Sequence, residues 1–269
     1  MDVQYSNLRY QACEREHAYG PSVHILGHPY MMSLLARLCA RETAQPLASQ
    51  LLHAIYDDLL AVVVNAEFPR RVATVPSRMS AYHREGIYVG EVLDPETKAI
   101  TVAIARAGLV PSHMTYDALN FILNPALVRQ DHVFMNRRVE NGRVVGVDLS
   151  GSKIGGPVEG SIVLVPDPMG ATGSSMIETV SLYKRASLNP PRKFVAMHLI
   201  VTPEYLKAVQ KAHPDVIVYA VRLDRGLSSE DVLQTVPGTH WDREKGLNEH
   251  DYIVPGGGGF GEVLNNALT

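Results

Sequence analysis

The sequence predicts an α/β fold built on an open, mainly parallel sheet flanked by helices. Three observations predict it. Apolar, β-rich runs at residues 99–105 (AITVAIA), 161–166 (SIVLVP), 194–201 and 216–221 alternate with stretches of helical periodicity, as in repeated βαβ units. Two of these runs end in turns of small residues, where open parallel sheets take their ligands. Hydrophobic residues make up 46% of the 269-residue chain and charged residues 20%, a balance that supports a packed core and argues against disorder.

In chain order, residues 1–25 read as an irregular N-terminal arm punctuated by Gly20 and Pro21. Residues 26–69 read as a helical portion of two amphipathic helices ahead of the main fold. Met31, Leu34, Leu35 and Leu38 recur at spacings of three and four, as do Leu51, Leu52, Ile55, Leu59 and Val62; Pro46 starts the second helix. Residues 70–98 carry Arg70, Arg71, Arg78 and Arg84 among short apolar pieces and read as strands and an extended arm. Residues 99–227 form the α/β core. Beside its apolar runs, 112–123, 173–187 and 203–212 read as helices and 132–135 as a strand. Arg225-Gly226-Leu227 is echoed 20 residues later by Lys245-Gly246-Leu247, which marks 228–247 as an inserted polar loop bearing the only tryptophan, Trp241. Residues 248–269 form a C-terminal hood, and the whole, 1–269, reads as one domain.

Charge and motif content narrow the function. The formal net charge is -3, so no basic excess exists for extensive nucleic-acid binding. Cys13 and Cys39 are the only cysteines, too few for a disulfide scaffold, and a reducing cytoplasm is the expected location. The polar N-terminal stretch lacks an apolar signal core, and the longest pure aliphatic run, residues 59–64 (LLAVVV), is far short of a bilayer span, so no membrane association is expected. The 11 histidines include no HExxH pair, and no GxSxG elbow is present.

The segment most informative about chemistry is 163–176, VLVPDPMGATGSSM. A buried strand ends at Asp167, followed by Pro168 and Met169. Then come Gly170, Ala171, Thr172, Gly173, Ser174 and Ser175, and after them a helix. Small residues let backbone N–H groups approach a phosphate, the helix N-terminus adds partial positive charge, and the hydroxyls add donors. The Asp167 carboxylate cannot itself hold phosphate; it can hold sugar hydroxyls or a magnesium ion beside them. Together these describe a phosphorylated sugar ligand. The turn lacks the lysine of a GxxxxGK[ST] loop and does not fit GxGxxG. Arg106, at the end of another apolar run, can pair with anionic oxygens and stabilise a leaving group.

Residues 167–175, Asp-Pro-Met-Gly-Ala-Thr-Gly-Ser-Ser, resemble the phosphoribosyl-diphosphate (PRPP) motif of the uracil phosphoribosyltransferases, whose fold is that of the type I phosphoribosyltransferases. Residues 246–256 (GLNEHDYIVPG) are similar to that family's uracil-binding segment, and 104–109 (IARAGL) to its diphosphate loop. The resemblance runs in order over about residues 26–264. It implies transfer of a phosphoribosyl group from PRPP to a pyrimidine base, uracil, giving UMP and diphosphate with magnesium as cofactor, in a homodimer or higher homo-oligomer. It assigns Asp167 and Arg106 to catalysis. Arg106, Arg137 and residues 167–175 would bind PRPP, with a strained, often cis, peptide beside Arg106 and with Arg137 on a loop that closes over the site. Tyr252, Ile253, Gly258, Gly259 and Phe260 would bind the base, read largely by backbone groups. Arg84 is a weaker candidate for a diphosphate contact.

The chain departs from the family pattern at Gly259, where the resemblance implies an aspartate beside the PRPP-bound metal, and at Val263, where it implies a basic residue. Two further readings follow: a PRPP- or nucleotide-binding regulatory protein of little or no turnover, or a phosphoribosyltransferase for a different base.

Overall fold

The computed structural model describes residues 9–140, 143–186 and 189–267, without the side chains of 137, 139, 140, 143–145 and 186. The chain opens with strand β1 (Val23–Ile25), then helices α1 (Pro29–Leu38) and α2 (Leu47–Glu67) and strands β2 (Arg70–Pro76) and β3 (Ile87–Leu93). The core follows as β4 (Ala99–Ala105), α3 (Leu109–Ile122), β5 (Val128–Glu140), β6 (Arg143–Lys153), β7 (Ile162–Pro166) and β8 (Met169–Gly170). It continues through α4 (Ser174–Ala186), β9 (Lys193–Val201), α5 (Pro203–Ala212) and β10 (Val216–Leu223), and ends in α6 (Glu230–Leu233) and α7 (Phe260–Asn265).

The main sheet runs in the order β1-β10-β9-β7-β4-β5-β6, with β8 beside β9. Every pairing in it is parallel except β5 with β6. The expected mainly parallel sheet is present, with helices on both faces. Strand β7 shows why its sequence reads as an unbroken apolar run. Ile162 and Leu164 point into a core shared with α1, α2 and α7, while Val163 and Val165 point into a second core shared with α4 and α5. Burying each such side chain stabilises the fold by roughly 1.5–3 kcal/mol.

Helix α2 is long and apolar enough to cross a membrane by length and composition. Here it covers the sheet: Leu52, Ile55 and Leu59 are fully buried, and the Tyr56 hydroxyl donates to the Met197 carbonyl of β9 at 3.2 Å. The two N-terminal helices, expected ahead of the main fold, are one of its layers.

Several expectations need correction. The irregular arm ends in β1, which pairs in parallel with β10, and Glu14 bridges to Leu26. Three residues are too few to show a period, so the pairing is set by β10 and not by local pattern. The strand expected at 132–135 is the middle of β5, which runs with β6 as a long antiparallel hairpin. The strands expected at 70–98 are present, as a separate antiparallel pair, β2 with β3. Near its tip, Arg84 is 93% exposed and pairs with Glu85. The inserted loop at 228–247 contains α6. The loop closes on itself: the Leu227 N–H donates to the Lys245 carbonyl at 3.0 Å, and the Lys245 N–H to Ser228 Oγ at 2.8 Å.

Candidate active site

A cavity of about 580 Å³ opens at the carboxyl ends of β4 and β7, where a parallel sheet exposes its ligand-binding edge. That volume lies in the range of small-molecule sites. Three stretches far apart in sequence meet there: Arg106 after β4, the turn after β7, and the segment before α7.

The turn is fastened from behind. Thr202 N–H donates to the Gly170 carbonyl at 3.1 Å, and Thr202 Oγ1 donates to the Ala171 carbonyl at 2.7 Å. Gly170 itself packs on β9 and α5, where an added Cβ would lie 2.9 Å from Val201 Cγ1. Pro168 accepts from Leu199 and Ile200 N–H at 3.0 and 3.1 Å. Neither Pro168 nor Gly170 is on the cavity lining; Asp167, Met169, Ala171, Thr172, Gly173, Ser174 and Ser175 are. Gly173 has φ +85°, which turns the chain into α4 in a conformation costly for other residues. Its carbonyl then accepts the Ile177 N–H at 2.9 Å. The N–H groups of the first helical turn have no partner inside the helix. Ser174 and Ser175 therefore bring backbone and hydroxyl donors to one wall, and Thr172 Oγ1 lies 3.2 Å from Ser174 Oγ.

Behind Asp167 lies a network that the sequence did not announce. His198 is fully buried, with Nδ1 2.5 Å from the Asp167 carbonyl and Nε2 2.6 Å from the Tyr205 hydroxyl. A carbonyl only accepts, so Nδ1 carries the proton, and Nε2 accepts from Tyr205. Burial pushes the His198 pKa down to about 4, although the bond to the Asp167 carbonyl opposes the shift. The sign of the pH effect follows. As pH falls below about 6.5 the unfolded chain takes up this proton first, so stability present above that pH is lost as pH falls toward about 4. The loss across the window is roughly 3 kcal/mol. Urea unfolding at pH 7 and 4.5 should show wild type losing more stability than His198→Asn by about that amount. Parallel losses in the two proteins would contradict a neutral buried imidazole.

Arg106 follows a cis Ala105–Arg106 peptide, the geometry that the resemblance implies. Its Nη2 lies 3.3 Å from Glu262 Oε1, and both side chains are 42% exposed. On the opposite wall, Ile253 pairs with Leu247 in an antiparallel bridge. The bonds flanking that bridge run from Asn248 N–H to the Tyr252 carbonyl at 3.0 Å and from Val254 N–H to the Gly246 carbonyl at 2.9 Å. In this pattern the N–H and C=O of Ile253 are directed away from Leu247. Tyr252, Ile253, Gly258, Gly259 and Phe260 all line the cavity. Gly258 has φ +78°, whereas Gly259, the N-cap of α7, has φ -84°. Glycine at 259 is therefore not required by backbone conformation. It leaves room for a neighbour: an added Cβ would lie 2.0 Å from Glu262 Oε2.

Sequence reasoning missed Phe134, Met135, Asn136 and Ser150 of the β5–β6 hairpin, as well as Asp251 and Glu262. A register shift between Phe134 and Met135 breaks strand alternation, so three consecutive residues reach the cavity. No local signal in the sequence marks that bulge. Arg137 lies on the same strand, its backbone opposite Val147; its side chain lies outside the described residues.

The model of the uracil phosphoribosyltransferase family matches residues 25–243. The chain belongs to that family. The matched span holds Arg106 and the 167–175 turn and ends before the 252–262 wall. Among solved structures, the AQ2163 protein from Aquifex aeolicus is similar over 92% of this chain and 100% of that one, with a TM-score of 0.69 and 20% identity. APRTase from Giardia lamblia complexed with 9-deazaadenine is similar over 66% of this chain and 84% of that one, with a TM-score of 0.39 and 15% identity. Hypoxanthine phosphoribosyltransferase from Trypanosoma cruzi complexed with IMP is similar over 70% and 83%, with a TM-score of 0.39 and 11% identity. The first likeness shows the fold. Phosphoribosyl transfer is the reaction to which family membership assigns the chain.

Proposed function

We propose that this chain joins uracil to PRPP, giving UMP and diphosphate. The observation that carries the reading is convergence: the phosphate-type turn, Arg106 and the backbone-rich 252–260 segment line one cavity although they lie far apart in sequence. Residues 171–175 hold the 5′-phosphate through N–H and hydroxyl donors. Asp167 serves the ribose hydroxyls, with its backbone fixed by His198. The backbone of Ile253 and Gly258 meets the imide edge of the base, Tyr252 packs near base and ribose, and Phe260 borders the pocket. A base nitrogen attacks the anomeric carbon, the bond to diphosphate breaks with its electron pair leaving on the diphosphate oxygen, and the proton of that nitrogen passes to solvent. The transition state resembles an oxocarbenium ion, so the protein contributes position and charge and no covalent intermediate.

The donor set suits magnesium. Asp167, Asp251 and Glu262 line the cavity with hard oxygen ligands, and Arg106 is the one cation among its described side chains. A polyanionic substrate therefore needs further positive charge. Such an ion would be held mostly by substrate phosphates and one or two carboxylates. Asp167 and Glu262 are the residues proposed to hold it. When bound, the ion would neutralise charge on the departing diphosphate.

A turnover screen with PRPP and several bases, following diphosphate release, tests the reaction and the base together. Release with purines and none with pyrimidines would overturn the uracil assignment. Gly259 and Val263, neutral where the family pattern is charged, favour one other reading, a PRPP sensor with little turnover; PRPP binding without release from any base would select it. The phosphate wall has its own test. Thr172→Ala should weaken UMP binding by about 1–3 kcal/mol through loss of a charge-assisted hydrogen bond. Calorimetry that finds unchanged affinity in the folded variant removes Thr172 from the phosphate site.

A further inference from the structure

A segment that reads a base with backbone groups has to be held still, yet glycine is the residue with the most freedom to move. Four glycines stand in a row at 256–259. Two charged side chains at the end of β10 restrain them. Asp224 is 2% exposed, and its Oδ2 accepts the Gly256 N–H at 2.7 Å. Arg222 Nη2 donates to the Gly256 carbonyl at 2.8 Å. The two side chains also pair with each other, Nε to Oδ1 at 2.6 Å and Nη2 to Oδ2 at 2.7 Å. One two-pronged ion pair thus holds both backbone groups of a single glycine.

The restraint continues to Val254, two residues earlier. Its N–H goes to the Gly246 carbonyl and its carbonyl accepts the Gly226 N–H at 3.1 Å. Residues 254 and 256 are therefore tied to the chain leaving β10 and to the closing end of the inserted loop. Ile253 and Gly258, on either side of this fastened stretch, line the cavity. Burying an ion pair carries a desolvation cost that its mutual attraction seldom exceeds by much. Both side chains give further hydrogen bonds to Gly256, and Arg222 also bonds Cys39, which points to a role beyond pairing. Most groups assigned to PRPP stand elsewhere, at the end of β4 and in the turn between β7 and α4, and Glu262 stands beyond the fastened stretch, on α7.

We propose that Arg222 and Asp224 are positioning residues for the base. They fix Gly256, and through it Ile253 and Gly258, and so govern base affinity while leaving PRPP affinity unchanged. This rests on the reading of 252–260 as the base-binding segment.

The test compares wild type with Asp224→Asn and Arg222→Lys in the full chain, by two measurements. Hydrogen exchange should speed up about tenfold or more over 252–260 and stay within about twofold over 167–176. Steady-state diphosphate release should show the KM for uracil raised about tenfold, with the KM for PRPP and kcat within about twofold. Arg222→Lys keeps Asp224 partnered, so it should fold even if Asp224→Asn does not. Unchanged exchange over 252–260 in a folded variant overturns the proposal. So does a common rise in both KM values, or faster exchange with no change in the KM for uracil. A wild-type chain that releases no diphosphate with uracil defeats the uracil reading instead; the contrast in exchange between 252–260 and 167–176 then decides the clamp.

Discussion

Arg106→Ala is expected to lower phosphoribosyl transfer by about 10²–10³-fold while leaving UMP affinity within about threefold. The asymmetry comes from what each ligand carries. Diphosphate gains charge as its bond to the anomeric carbon breaks, and a guanidinium placed there is worth more in the transition state than in the ground state. UMP has no diphosphate to lose. The fold should not suffer, because the Arg106–Glu262 pair is 42% exposed on both sides. Exposed pairs contribute about 0–1 kcal/mol. Turnover with PRPP and uracil, set beside calorimetry with UMP, checks the split. Equal losses in the two would place Arg106 outside the diphosphate site.

The split between what the sequence disclosed and what it concealed follows how each element is stabilised. The run at 161–166 is legible because β7 is buried on both faces, so every position from Ile162 to Pro166 is selected for low exposure. Helix α2 is legible for a related reason, since Leu52, Ile55 and Leu59 repeat toward one core. Strand β6 is different. Among the described residues it pairs only with β5, and Asp148, Leu149 and Ser150 are exposed on it. Ladder hydrogen bonds hold it, and these leave no trace in side-chain hydrophobicity. Strand β1 is held by its register on β10, which Val23, His24 and Ile25 alone cannot reveal.

The same distinction applies to the candidate site. The 167–175 turn is contiguous, and its small residues are demanded by local geometry at Gly173 and by close packing at Gly170, so the pattern stands out in one window. Arg106 is visible because it directly follows an apolar run. Its meeting with Glu262, however, spans 156 residues and exists only because the sheet brings the ends of β4 and α7 together. His198 illustrates the other limit. Its sequence neighbours are those of a core strand, and only the neighbouring Asp167 carbonyl and Tyr205 hydroxyl give it a task. The 252–262 wall was assigned to the base through family resemblance alone, and the family match stops at residue 243, before that wall begins.

Glu262→Gln is expected to change PRPP binding in opposite directions with and without magnesium, by about tenfold each way. Without the metal, the Glu262 carboxylate repels the substrate phosphates and holds Arg106 at 3.3 Å, so removing its charge should tighten binding. With the metal, the same carboxylate becomes an attractive partner of the bound cation, and its removal should weaken binding. This account changes what Gly259 means. An aspartate Cβ at 259 would lie 2.0 Å from Glu262 Oε2, the end of a flexible and half-exposed side chain that would swing aside. On the proposed site Glu262 already offers the cation a carboxylate, so Gly259→Asp alone should gain little in magnesium. In the Glu262→Gln background the same substitution should recover most of the magnesium-dependent affinity. Aspartate is favoured at a helix N-cap, and residue 259 has the extended backbone of one, so the double variant should fold. Calorimetric titration of PRPP into the three variants, with and without magnesium, gives the answer. A large gain from Gly259→Asp in the wild-type background would mean that the acid is missing from this site, and that Glu262 serves Arg106 alone.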